Sequence, residues 1–523
     1  MNKSISKAWR QYEAGLEYKR RIGLYDTVRR NERYYRGEQW EGEGAGLPRP
    51  VFNIIRRIVD YLVCTVASGN VSICFSDENL PALTDPDTAA ALRRALGMLS
   101  ANVSYRWERS RMDSLVYRLL CDAALSGDGV VYCWWDSALP TGQAYTGDIS
   151  TRIIDNVNLF VADVNRADLQ SQDYIILSGR DSVANLREEA RRAGRREDEI
   201  ARISADGEYT SGAGELSGYE LDDPDSAKAT FIIKFWREDG HVVFEKSTRY
   251  AVIRRSHTPQ TLYPVAYFNW YPTKNSFHGT SPVTSLIPNQ KFINRAFAMV
   301  MKHMTDTAFS KVLYDKSRIP EWSNEVGEAI AVNGGTNVSD AVKVMGVGQL
   351  ESGYTQLIEL AVSMTRELSG ATEAAIGEGS ATNTSAILAL QEAARIPLEQ
   401  VRRGYLQCIE DVANIWADMM CAYYTDGRLL PLSSDSSAAA DFTLLRRALL
   451  RARVEVGEIS RYSASGTLTM LNRLLDVGCI TPVQYIERLP AGLITDRREL
   501  LSQLEGQQSG AVHTEEDGNG RIE

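Results

Sequence analysis

The chain has 523 residues and a formal net charge of −10, with 24% charged and 44% hydrophobic residues. That composition excludes intrinsic disorder of the whole chain, and the length predicts roughly three domains of about 150 residues each. No apolar run reaches the roughly 18 residues of a membrane span, since Arg56, Arg57 and Asp60 interrupt the best candidate, and the N-terminus carries no apolar signal core. The expectation is a soluble protein made inside the cell, with no membrane partner. Its seven cysteines (64, 74, 121, 133, 408, 421, 479) form no CxxC pair and read as structural thiols.

Residues 3–36 predict one or two helices with ten Lys or Arg and four Asp or Glu, a local excess of six positive charges. Two readings stay open for this basic segment: contact with nucleic acid, or a solvated helical face laced with i,i+4 pairs. Gly37 ends it, and a Gly/Glu loop follows to Pro50. Ile54, Ile58, Leu62 and Val66 recur every four residues and predict a helix over 51–67. A strand at VSICF and a helix over 88–126 come next, closed by SGDG. The run VVYCWW from Val130 reads as a buried strand. Further strands are expected near 151–154 and 173–178, with a helix over 183–193. Residues 205–226 carry seven acidic and no basic side chains and predict an exposed loop. FIIKFW and HVVFEK, separated by EDG, predict a hairpin.

The second half opens on a long helix, 282–311. Ile293, Phe297, Val300, Met304 and Ala308 fall on one packing face, and Lys291, Arg295, Lys302 and Asp306 on the opposite, wet face. A small α/β insert follows over 312–350: strand KVLYD, Pro320, a short helix around 322–331, an NGG turn and strand AVKVM. A second helix over 354–368 leads to a loop rich in small residues, GATEAAIGEGSATNTS. Thr384 or Ser385 suits the N-cap of a third long helix, which Pro397 should kink. Beyond Pro397, the residues Leu398, Val401, Tyr405, Cys408, Val412, Trp416 and Met419 keep helical spacing and predict core or subunit-interface positions. A Ser/Ala-rich linker precedes a compact C-terminal unit: strand RARVEV, a helix ending at Gly478, a helix starting at Thr481–Pro482, and a last helix to about residue 504. A polar, disordered tail is expected after that.

Catalytic signatures do not occur. There is no Gly-Lys dipeptide and so no Walker A loop, no HExxH and no GxSxG, and the five histidines are isolated in sequence. Expectations are therefore no catalytic residue, no cofactor, no metal and no enzyme activity.

Several stretches in order resemble the portal, or head-to-tail connector, proteins of tailed bacteriophages: NERYYRGEQW; LCDAALSGDGVVYCWWD, ending at Asp136; YPVAYFNWYPTKNSFHGTSPVTSLIPNQKFINR over 263–295; GATEAAIGEGSATNTSAILALQ over 370–391; and VEVGEISRYSASGTLTMLNRLLDVGCITPVQYIERLP over 454–490. The resemblance implies a helix-rich α+β fold assembling into a ring, usually of twelve copies, around a DNA channel. It implies a wing over 1–280, a stem helix over 281–311, a clip over 312–350 and a returning stem helix over 351–369. A tunnel loop would occupy 370–384, with Gly370, Glu373, Gly377, Glu378, Gly379 and Asn383 at the channel. A kinked wing helix over 385–432, a crown over 433–505 and a disordered tail over 506–523 complete the assignment.

The implied role is structural: a virion component at one capsid vertex, made in the bacterial cytoplasm. It would nucleate the head, dock the terminase large subunit through the clip, pass double-stranded DNA during packaging and ejection, and hold the head–tail adaptor. Major capsid protein and scaffold are implied partners too. Twelve copies would carry about −120, which disfavours a tight grip on the duplex. Lys291, Arg295, Lys302 and Asp306 face either the channel or carboxylates of a neighbouring subunit. Two rival readings remain: a metal-dependent nucleic-acid-modifying enzyme, and a phage scaffold or interaction protein with no channel.

Overall fold

The computed structural model describes residues 6–42, 46–68, 70–75, 86–141, 145–206, 227–308, 312–323, 325, 329–335, 337–344, 352–370, 396–424, 452–457 and 461–489. The chain mixes helix and sheet, in keeping with the α+β expectation.

Helix α1 (Lys7–Arg21) starts where the Ser6 hydroxyl accepts the Trp9 N–H, and ends in three basic residues that suit the negative end of its dipole. Gly23, at φ +67°, turns the chain into α2 (Leu24–Arg36), which stops at Gly37 in the left-handed region. Then come α3 (Ile54–Ala67) and strand β1 (Asn70–Phe75). The helix expected over 88–126 is two: α4 (Pro86–Arg109) and α5 (Met112–Ser126). Arg111 adopts φ +49° between them and breaks the helical path.

Two antiparallel sheets follow. Strands β2 (Asp128–Pro140) and β3 (Thr146–Ile153) pair with each other; β4 (Leu159–Val161), β5 (Tyr174–Ser182), then α6 (Val183–Arg192) and the single turn α7 (Glu197–Ile200) lead to β6 (Lys228–Glu238). Strands β7 (His241–Ser247), β8 (Val252–His257) and β9 (Val265–Asn269) complete them. One sheet runs β3-β2-β9 and the other β4-β5-β6-β7-β8. The expected hairpin is β6–β7: Glu238 pairs with His241 around Asp239 and Gly240, both at positive φ, the geometry of a two-residue primed turn.

The core lies between the sheets. Val130, Tyr132 and Val265 of one meet Ile175, Leu177, Phe235 and Val242 of the other. Trp9 and Tyr12 of α1 pack with Phe160, Ile176 and Ile232. After the sheets run α8 (Pro282–Ala308), β10 (Val312–Tyr314), β11 (Val342–Val344), α9 (Ser352–Leu368) and α10 (Glu399–Tyr423). On α10, Val401, Tyr405, Cys408, Val412, Trp416 and Met419 are all buried within the chain, as their spacing requires.

The structure divides into two compact units rather than three. No boundary falls in the middle, because α10 packs back on β9 and β2 while α8 packs on α2, α3 and α5. The second unit joins residues 68–74 to residues 454–523. Within it β1 pairs with β12 (Ala452–Gly457), followed by α11 (Arg461–Asp476) and α12 (Pro482–Arg488). Thr481 and Gln484 form a capping box at α12, and Leu471, Ile486 and Leu489 make a small core. The last helix and tail expected from the sequence lie outside the described residues.

Candidate functional site: the paired rods and their mounting

The N-terminus of α8 is built on one buried carboxylate. Asp128, from SGDG at the end of α5, is 1% exposed. Its Oδ2 meets His278 Nδ1 at 2.7 Å and accepts from Asn156 Nδ2 at 3.0 Å; its Oδ1 accepts the Gly279 N–H at 2.7 Å and Asn269 Nδ2 at 2.9 Å. A carboxylate with four such partners is satisfied out of water. This is the physical content of the SGDG and HGTSP motifs: they meet across 150 residues and fix where α8 begins. Gly127 and Gly279 must be glycines for that approach. A Cβ on Gly127, which sits at φ +97°, would stand 2.7 Å from the Gly279 carbonyl oxygen.

Ser281 then caps α8, accepting the Val283 N–H at 3.1 Å while donating to the Ala124 carbonyl at 2.5 Å, and Pro282 takes the first helical position. Asn31 of α2 donates to Thr284 Oγ1 at 2.9 Å. One turn further, Gln290 and Asn294, both at most 2% exposed, are polar residues facing inward. Gln290 Oε1 accepts the Ile54 N–H at 3.0 Å and so satisfies a donor at the start of α3; Asn294 accepts from Gln290 at 2.9 Å and donates to Gln39 at 2.7 Å.

Beyond this mounting the rod loses its cover. Of the predicted packing face, Ile293 is buried, and Phe297 is partly buried against Phe52, with ring centroids 4.3 Å apart. Met304 is 59% exposed, and the burial of the Ala308 side chain lies outside the described residues. Phe292, Met299 and Met301 are exposed as well. Helix α9 packs on α8, and Ile358 and Thr365 are buried, yet Tyr354, Leu357, Leu360, Met364 and Leu368 are 47–81% exposed. At 100° per residue those five fall within an arc of about 120°. A continuous apolar stripe of that kind marks an interaction surface.

On the polar face, Lys291 lies 3.9 Å from Glu41, and Lys302 lies 3.1 Å from Asp306 one turn on. Arg295 is exposed and has no carboxylate within pairing distance among the described residues.

Between the rods, β10 and β11 pair antiparallel, Val312 opposite Val344. The short helix expected around 322–331 is absent among the described residues. Trp322 stacks on Tyr314 at 5.2 Å, and the Asn333 N–H goes to the Arg318 carbonyl. A segment of about ten residues has only a weak preference of its own for helix. The NGG turn is present, with Gly334 and Gly335 at positive φ.

Gly370, at φ +76°, follows α9. The rest of the loop, with Glu373, Gly377, Glu378, Gly379 and Asn383, lies outside the described residues, as does the first part of the third long helix. Pro397 sits in a 3-10 turn, Ile396–Leu398, directly before α10.

Buried charge surrounds the mounting. Lys19 is 2% exposed and donates to the carbonyls of Asn156, Val157 and Leu159 at 2.6–2.9 Å. Burial pushes its ammonium well below the ordinary lysine value, and Asp128 pulls it back. Glu32 and Asp122 are each pushed up to about 7, chiefly by burial. Sequence reading passed over Asp128, His278, Gln290 and Asn294, since each gains its partners only through contacts far along the chain.

Residues 239–445, about two-fifths of the chain, match the model of the phage P22-like portal protein family. The matched segment takes in β7 to β9, both rods, the β10–β11 hairpin and α10. It bears out the resemblance to phage portal proteins and supports a phage portal structural role, in a family that is structural rather than enzymatic. No curated protein matches the chain. Among the described residues no helix is long and apolar enough to cross a membrane.

Proposed function

We propose that this chain, similar over residues 239–445 to phage P22-like portal proteins, forms the portal ring at one capsid vertex. The observation that carries the reading is the apolar stripe of α9, together with the exposed methionines of α8. Copies arranged around a rotation axis cover such stripes with one another, each chain offering one surface to the next and a different one to the previous. In this assignment α8 and α9 are the stem, the β10–β11 segment is the clip that docks the packaging motor and later the tail adaptor, and the loop 370–384 narrows the channel.

The polar face of the rods suits a conduit. Lys291 and Lys302 have carboxylates of their own chain beside them, which leaves Arg295 as the cation of this face without such a neighbour among the described residues. The rival enzyme reading lacks a comparable observation in its favour.

The test is the mass of the purified chain at micromolar concentration, with top-view electron micrographs. A closed ring with a central hole is expected. A monodisperse monomer of 58.2 kDa at neutral pH and ordinary salt would overturn the assignment.

A further inference from the structure

A cleft of about 480 Å³, lined by no residue of the rods, opens between the two sheets. Aromatic rings, among them Tyr132, Trp134 and Phe244, share its lining with polar and charged side chains, two of them the arginines Arg152 and Arg254. Arg152 of β3 lies over both Tyr132 and Trp134, 5.7 and 5.4 Å from the ring centroids, while Arg254 of β8 lies 5.3 Å from the Phe244 ring. Both arginines are exposed, and among the described residues neither has a carboxylate within pairing distance. Of the cleft's carboxylates, Glu189 is paired with a cation, Lys246, at 2.6 Å. Asp181 and Asp136 accept hydrogen bonds from neutral N–H groups: Asp181 from the Ser182 N–H at 2.7 Å and the Asn185 amide at 3.0 Å, Asp136 from the Ala138 N–H at 3.0 Å. A guanidinium laid on an aromatic face keeps its in-plane N–H edge free for an oxyanion.

We infer that this cleft binds an extended acidic peptide segment of a protein partner, its carboxylates taken by Arg152 and Arg254 and an aliphatic side chain between them entering the cleft. Two further observations select a peptide. Strand β8, which carries Arg254, is the outer strand of the five-stranded sheet; Arg195 takes the Ile253 carbonyl, so an extended backbone can add along the strand only from Arg254 onward. A stacked nucleobase finds little room. Tyr132 and Trp134 cover each other at 5.2 Å, Trp135 is stacked on Tyr423 at 4.8 Å, and Arg254 covers Phe244.

The experiment uses the full chain and a fluorescein-labelled heptapeptide of alternating aspartate and leucine, read by anisotropy. Saturable binding is expected, weakened about tenfold by the double substitution Arg152→Gln, Arg254→Gln and by asparagine in place of aspartate in the peptide. Ser256→Trp, which fills the cleft without removing charge, should also block binding; melting curves of all variants check that they are folded. The inference fails if the peptide does not bind up to about 1 mM, or binds the variants equally well. It fails equally if a single-stranded dT12 binds with the arginine dependence expected of the peptide, for the cleft would then be a nucleic-acid site.

Discussion

Asp122 of α5, Glu32 of α2 and Asp155 after β3 approach one another beneath the N-terminal helices, with Arg36 and Arg118 nearby. Burial comes first among the causes that raise the Asp122 and Glu32 carboxyls to about 7, and the neighbouring carboxylates add to it. Asp411 on α10 is likewise raised, to about 6, mainly by burial. These values lie above the roughly 4 of an unfolded carboxylate, so the native state holds the protons more tightly. The stability this contributes is complete below about pH 4 and is lost as pH rises through 7. The melting temperature should therefore fall between pH 5 and pH 8. Asp122→Asn should flatten that slope, removing roughly 2 kcal/mol of pH dependence once water reaching the carboxyl is allowed for. An unchanged slope in the variant would refute the account. The same scale explains why Asp128 and His278 escaped sequence reading: 150 residues separate them, and an isolated histidine carries no sign of the carboxylate it will meet.

Helix α9 shows what an element can be asked to do when its own chain leaves it half covered. Leu357, Leu360 and Met364 touch little within the chain, so replacing all three with glutamine should leave the monomer fold intact, at about 0.5 kcal/mol per exposed position. Assembly should be lost instead, as removal of apolar anchors from an interface predicts. Light scattering on the triple variant decides this: full-sized oligomer would place the interface elsewhere. Elements governed by local rules were legible in the sequence. The β6–β7 hairpin follows from Asp239 and Gly240, and α10 from a stripe that is buried at every predicted position from Val401 to Met419. What failed was non-local or marginal. β1 finds its partner in β12, more than 370 residues away, and no periodicity in VSICF points to it. A short helix is expected around 322–331, and among its described residues Trp322 instead stacks on Tyr314. For the rods, the periodicity of α8 was read correctly as far as Val300, while Met304 is exposed.

At the scale of the molecule, the balance of charge sets what a channel can do with DNA. Each chain carries −10, so in the proposed ring repulsion would keep a duplex from binding tightly to the wall. On the proposed ring, the narrowest belt would be the loop after α9, which enters from Gly370 at φ +76°. Its only charges are Glu373 and Glu378, and its small residues leave little to grip a base or a sugar. Repeated around the axis, the two glutamates would form anionic belts that hold the duplex at the centre. Replacing both, Glu373→Lys and Glu378→Lys, should, if the segment is the exposed loop expected from the sequence, move stability by only about 0.5 kcal/mol and leave ring assembly intact. Cationic belts at that point should instead pair with phosphates, hold the passing DNA and slow or abort head filling, most strongly at low salt, where such pairing is least screened. Packaging yield from phage carrying both substitutions measures the effect, with ring assembly checked by electron microscopy. Normal yield from correctly assembled rings would remove this loop from the DNA path and assign the constriction to another segment.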